Sequence, residues 1–287
     1  MPYAKADGLN IIYYEVHGAS EGTSLVMGHG MGGTSQQWIP ALLPLAERRP
    51  LVVWDARGHG RSSVPLEPEG WNLPAFAGDL AGLLDALGVE KAHIGGQSLG
   101  GMIAAQFAVD YPERCASILL CDTSAGNGAD AGEAGDWERY VQRAIGYRGA
   151  MTAAIGLRET MRREFERRMA NDPDFAAGPY TIEDYIARAD NTSDAAYAGA
   201  ARAIVSRSDL TDRIGGITAP TLVMIGEKDG FYPCALRDHA LIPGSRLVLR
   251  TDCGHGFKYR TDVWLTEAEA FLTDVEAGVA VAGERYV

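Results

Sequence analysis

Short apolar runs alternate with longer stretches in which apolar residues return every three or four positions. Runs at Asn10–Val16, Ser24–Met27, Leu51–Trp54, Ala92–Ile94 and Ser117–Cys121 each stop at Gly, Asp or Ser. Alternating with longer helical patterns, they carry the signature of parallel strands joined by crossover helices. Between them, Phe76, Leu80, Leu83, Leu84 and Leu87 recur at helical spacing behind Pro74, a residue suited to a first helical turn, and Gly88 is placed to end the helix. A second helix is predicted from Leu99 to Val109. Strands alternating with helices predict an α/β fold with a mostly parallel, doubly wound sheet.

The pattern breaks after Asp122. The stretch SAGNGADAGEAG is rich in Gly, and the sequence from there to about Asp212 is helical and Arg-rich without strand candidates. Strand character returns at Thr221–Ile225 and Arg246–Leu249. The predicted organisation is a core domain of residues 1–124 and 213–287, interrupted by a helical cap over 125–212. The tail AGVAVAGERYV is expected to be loosely held.

Of the 287 residues, 46% are hydrophobic and 22% charged, the balance of an ordinary globular chain long enough for a core with an insertion. The formal net charge of -12 repels phosphate backbones, so nucleic acid is not expected as a partner. The segment MPYAKADGLN has no apolar leader core, and no later stretch matches a membrane span, so a cytoplasmic protein without a membrane partner is expected. Cys115, Cys121, Cys234 and Cys253 form no close pair; they are read as reduced, with neither metal nor cofactor implied. Cys253 lies two residues before His255 and is read as a small buried hydrophobe.

The candidate chemistry begins at Gly96-Gln97-Ser98-Leu99-Gly100, between a predicted strand and a predicted helix. In that context the glycines permit a tight turn that raises the Ser98 hydroxyl at the C-terminal edge of the sheet. A serine hydroxyl needs a base, and His255 stands in a short loop directly after the last predicted strand. Backbone N–H groups of Met31, in His29-Gly30-Met31-Gly32-Gly33, and of Leu99 are the candidate donors of an oxyanion hole. Two aspartates, Asp122 and Asp229, close neighbouring predicted strands, and either could orient the histidine.

Trp54-Asp55-Ala56-Arg57-Gly58-His59-Gly60-Arg61-Ser62, Gly226-Glu227-Lys228-Asp229 and Gly254-His255 join the segments above in an order and spacing that resemble the α/β-hydrolase superfamily over nearly the whole chain. The resemblance implies an eight-stranded sheet with a cap inserted after the sixth strand. It implies Asp229 as the acid, with Asp122 as the alternative. It also implies that Asp55, Arg57 and His59 brace loops beneath the site. Leu119-Leu120-Cys121-Asp122-Thr123-Ser124-Ala125 and the cap resemble the enol-lactonases of aromatic degradation first, and carbon-carbon-bond hydrolases next. A serine nucleophile argues against the superfamily's epoxide hydrolases and haloalkane dehalogenases, which carry aspartate there.

The expected activity is cofactor-free hydrolysis of a carboxylic ester or lactone by Ser98, His255 and Asp229. Carbon-carbon-bond hydrolysis of a ring-fission dienoate, or a hydrolase-like ligand receptor, are the alternatives. The expected partner is a small-molecule substrate, and a homodimer is compatible with this reading. Arg139, Arg143, Arg148, Arg158, Arg162, Arg163, Arg167 and Arg168 crowd the cap; Glu159, Glu164 and Glu166 between them predict a self-paired, solvated face, although one guanidinium could clamp a substrate carboxylate. Trp137, Tyr140, Tyr147 and Phe165 are candidates for an apolar pocket wall.

Overall fold

Apolar side chains alternate between two cores on opposite faces of one sheet. Val26, Val52, Ile94, Leu120 and Val223 face a core with Phe76, Ile103 and Phe107, whereas Leu25, Met27, Val53, Leu119, Met224 and Val248 face another with Trp38, Trp264 and Phe271. The computed structural model describes residues 2–6 and 10–287. Met1 and residues 7–9, part of the segment read above for a leader, lie outside the described residues.

Among the described residues the sheet has nine strands: β1 (Tyr3–Lys5), β2 (Ile11–Gly18), β3 (Leu25–Gly28), β4 (Pro50–Trp54), β5 (Ala92–Gln97), β6 (Cys115–Cys121), β7 (Thr221–Gly226), β8 (Arg246–Arg250) and β9 (Gly283–Tyr286). Their order is β1-β2-β4-β3-β5-β6-β7-β8-β9, antiparallel at β1/β2 and β2/β4 and parallel from β4 onwards. Two expectations are corrected here. The sheet has nine strands instead of eight, and the C-terminal tail is pinned, with Thr251 N–H donating to Val287 O and Val287 N–H to Leu249 O. The sequence GERY has no buried face, so only main-chain pairing with β8 makes it a strand.

Helix α1 (Leu73–Leu87) begins at Asn72, whose side chain accepts from Ala75 N–H, and ends at Gly88 in the left-handed region. Helix α2 (Leu99–Asp110) follows β5 directly and lies buried along most of its length. Between β6 and β7 run α3 (Glu133–Ile155), α4 (Leu157–Asn171), α5 (Pro173–Ala176), α6 (Ile182–Asn191), α7 (Asp194–Val205) and α8 (Thr211–Ile214). Leu210 N–H donates to Ala125 O, joining the two ends of this helical insertion. Gly60 N–H donates to Asn191 O at 2.7 Å and so ties the insertion to the loop after β4. Helices α9 (Tyr232–Leu241) and α10 (Thr261–Glu276) follow β7 and β8. No helix among the described residues is long and apolar enough to cross a membrane.

Candidate active site

Three close approaches shape the turn at Ser98. A Cβ on Gly100 would lie 2.1 Å from Gly28 O, one on Gly96 would lie 2.4 Å from Gly100 C, and one on Gly101 would lie 2.6 Å from Thr123 Cγ2. Glycine at these positions lets α2 press against β3, and the chain reverses so tightly that Ser98 itself takes φ 56° and ψ -115°. Such a conformation costs a non-glycine residue on the order of 1–3 kcal/mol. Its surroundings hold it: Ser98 N–H donates to Cys121 O, and Ser98 O accepts from Met102 N–H and from Thr123 Oγ1 at 2.8 Å.

His255 reaches this turn from the loop after β8. Its Nδ1 lies 2.8 Å from Asp229 Oδ2, and Asp229 Oδ1 is held by Phe231 N–H at 2.9 Å. Burial works to lower the His255 pKa, but the charge and hydrogen bond of Asp229 outweigh it, with Asp122 adding, so the imidazole titrates above its ordinary value. Asp122, the alternative acid, is elsewhere engaged. It is fully buried, its Oδ1 pairs with the equally buried Arg250, and its Oδ2 accepts from Gly256 N–H at 3.2 Å. Of the two aspartates, Asp229 is the one brought to the imidazole, and Asp122 props the histidine loop from below.

Met31 stands in the loop after β3, and Leu99, the first residue of α2, directly follows Ser98. Neither backbone N–H has an acceptor among the described residues, leaving both available to a ligand oxygen. The Met31 loop is fixed by His29, whose Nδ1 donates to Gly30 O at 2.8 Å while its Nε2 accepts from Ala56 N–H at 3.0 Å. Burial lowers the His29 pKa and keeps that neutral tautomer. The segment after β4 is bracing throughout. Asp55 accepts from Ser35 and Arg61 N–H groups, Arg57 grips Asp79 with two nitrogens, and buried His59 packs on the His29 ring, its pKa pushed down to about 3 by burial and then by His29.

A cavity of about 860 Å³ opens between the insertion and the sheet edge, lined by Ser98, His255, Asp229 and Met31 together with Gln37, Gln97, Trp137, Tyr140, Tyr180, Arg188 and Phe231. Cys253 is not among its walls; it is fully buried, as its small-hydrophobe reading requires. Trp137 and Tyr140 do line the cavity, whereas Tyr147 points to solvent and Phe165 packs edge-on against Phe175 and Tyr185. Among the described residues no group of three His, Cys, Asp or Glu side chains could hold a metal ion.

Most cap arginines are paired: Arg162 and Arg163 with Glu159, Arg167 with Glu164 and Arg168 with Asp172 at helical spacing, and Arg148 with Glu164 across from the neighbouring helix. Lys228 and Lys258 at the cavity rim are likewise paired, with Asp174 and Asp184. Arg188 differs. Among the described residues it has no carboxylate partner, and its guanidinium lies 4.5 Å from the Tyr185 ring centroid. A Cβ on Gly32 would come within 3.3 Å of its side chain, so Arg188 packs directly on the loop that carries Met31. Sequence reasoning missed this residue because it stands outside the arginine cluster. It likewise gave no role to Gln37, Gln97 or Tyr180, whose types and spacing carry no signal of their own.

The chain is similar to known proteins over most of its length. A family described as the alpha/beta hydrolase fold matches residues 23–259. A protein of Variovorax paradoxus designated a candidate carbamate hydrolase is 30% identical over 95% of this chain and 98% of its own length. The crystal structure of the enol-lactonase from Burkholderia xenovorans LB400 superposes with a TM-score of 0.76 at 25% identity, covering 95% of this chain and all of that one. A thermophilic esterase from Thermogutta terrifontis gives the same TM-score and identity over 95% of this chain and 98% of its own. With a parallel sheet, a strained serine between β5 and α2, and a family match across most of its length, the chain belongs to the alpha/beta hydrolase fold family.

Proposed function

We propose that the protein hydrolyses a carboxylic ester or lactone bearing a second, anionic group, through an acyl-enzyme on Ser98. The observation that carries the reading is the convergence, on one cavity, of Ser98, the His255–Asp229 pair and Met31, whose backbone N–H, like that of Leu99 next to Ser98, has no acceptor among the described residues. In the first half-reaction His255 Nε2 takes the Ser98 proton as Oγ attacks the carbonyl carbon. The negative oxygen that develops is held by Met31 and Leu99 N–H. Collapse of the tetrahedral species expels the alcohol, which receives the proton from His255. In the second half-reaction water attacks the acyl-enzyme with the same base, and the acid product leaves Ser98 free. Asp229 fixes the tautomer and stabilises the imidazolium in both.

The anionic group is argued from Arg188. A guanidinium facing a cavity and lacking a carboxylate partner is a ready bidentate partner for one, and its aromatic neighbour Tyr185 keeps it oriented. The enol-lactonase and esterase likenesses support ester-type chemistry, while the 30% identical relative brings carbamates into consideration.

A purified-enzyme comparison of matched substrates tests the proposal: esters and lactones with and without a carboxylate, the corresponding carbamates, and ring-fission dienoates, ranked by kcat/KM. The expected leader is a carboxylate-bearing ester or lactone. A carbamate or dienoate in first place, or indifference to the carboxylate, overturns the respective part.

A further inference from the structure

We infer that Gln37 and Gln97 form an amide relay that positions the base, holding His255 as the neutral Nδ1–H tautomer and coupling it to the Gly30–Met31 loop. The inference rests on the assignment of His255 as base, but its polarity follows from one backbone group. Gly30 N–H can only donate, so the Gln37 atom facing it at 3.2 Å is the oxygen Oε1. Gln37 therefore turns its NH2 towards Gln97 and donates to Gln97 Oε1, also at 3.2 Å. Gln97 in turn presents its own NH2 to His255 Nε2, 3.1 Å away. An amide NH2 has no lone pair to offer, so Nε2 must be unprotonated and accepting, and the ring proton sits on Nδ1 towards Asp229.

The relay has no slack for a side chain at its origin. A Cβ on Gly30 would lie 2.7 Å from Gln97 Oε1. Gln97 is buried, and its backbone lies at the end of β5 immediately before Ser98, so the same turn that strains Ser98 aims this amide at the imidazole. Protonating Nε2 would set two donors face to face. The relay thus favours the neutral ring, alongside Arg168 on α4 and against Asp229 after β7 and Asp122 after β6, which favour imidazolium. When the imidazolium forms during turnover, Gln97 must release Nε2. It is therefore a positioning residue for the resting enzyme, and Ser98 Oγ takes its place as the reaction begins.

The test is Gln97→Met and Gln37→Met, which keep side-chain length and remove the amide. The titration of His255 is followed in the free protein by nitrogen-15 NMR, alongside the pH profile of kcat/KM on an aryl ester. The relay predicts that the His255 pKa rises by roughly one unit in Gln97→Met, as loss of one hydrogen bond to the neutral form implies. It also predicts a smaller rise in Gln37→Met, and a larger one in Gln97→Glu, whose carboxylate accepts from Nε2–H. An unchanged His255 titration in folded Gln97→Met and Gln37→Met overturns the relay, even if kcat falls evenly at every pH. The NMR titration needs no turnover, so failure of the relay and failure of the ester-hydrolase reading are read separately.

Discussion

His255 and Asp229 stand 26 residues apart and meet at 2.8 Å because their loops leave adjacent parallel strands, β8 and β7, at the same edge of the sheet. Asp122 leaves the next strand, β6, at that same edge but spends its carboxylate on Arg250 and Gly256 N–H. Two aspartates at one edge of the sheet therefore have opposite work. Asp229→Asn is expected to fold, with stability near wild type at pH above the His255 titration, and lose several powers of ten in kcat, because the imidazole loses its fixed tautomer. Asp122→Ala strands a fully buried guanidinium and is expected to lose about 3–5 kcal/mol of stability. Urea unfolding and kcat measured on both variants check the division of labour; the reverse pattern makes Asp122 the acid.

The same pair sets the pH dependence. His255 must be neutral to accept a proton, and Asp229 raises its pKa above the ordinary 6.5, so kcat/KM is expected to fall as pH drops through a value above 6.5. In Asp229→Asn, burial is no longer outweighed and the limb moves to lower pH. Stability runs the other way. A raised folded pKa contributes stability that is fully present below the unfolded value and is lost as pH rises through the folded one. The wild-type unfolding midpoint should accordingly decline across that window relative to Asp229→Asn at matched pH.

Gly100 offers a test of the turn itself. In an ordinary helix interior Ala is about 1 kcal/mol better than Gly, yet at Gly100 the added Cβ would sit 2.1 Å from Gly28 O, which is backbone and cannot swing away. The clash wins, and Gly100→Ala should be destabilised by more than the helix gain, at the upper end of the roughly 1–3 kcal/mol typical of overpacking or beyond it. A thermal or urea midpoint at or above wild type means that α2 does not approach β3 this closely.

Much of this was legible in the chain because burial on both faces leaves a simple mark. Strands β3, β5, β7 and β8 are buried at every position and read as unbroken apolar runs apart from the glycines and His93 in β5 and polar residues at the ends. β1, with Ala4 as its one buried side chain, and β9, exposed at each position, carry no such mark because main-chain pairing does most to hold them. The turn at Ser98 was legible because one this tight excludes side chains at its flanks, which shows as glycine. The choice between Asp122 and Asp229 was not, since it turns on Arg250, which lies 128 residues from Asp122 and reads locally as a strand terminus. Arg188 was hidden for a related reason: the absence of a carboxylate partner is a property of three-dimensional neighbours.

Arg188→Met keeps the stem that packs on Gly32 and removes the guanidinium. For a carboxylate-bearing ester the expected result is a KM raised about ten- to hundredfold, the range for a charge-assisted hydrogen-bond pair, with kcat little changed. A neutral ester of the same size should be handled as by wild type. Equal effects on both substrates would assign Arg188 to packing of the Met31 loop instead of anion recognition.

The most direct measurement of the central claim is kcat/KM of Ser98→Ala on the best ester or lactone, with circular dichroism confirming the fold. The substitution removes the attacking oxygen and leaves the cavity, His255, Asp229 and both N–H donors in place, so activity should fall at least about a thousandfold while the unfolding midpoint stays close to wild type. Turnover within a few-fold of wild type by the folded variant would contradict an acyl-enzyme on Ser98.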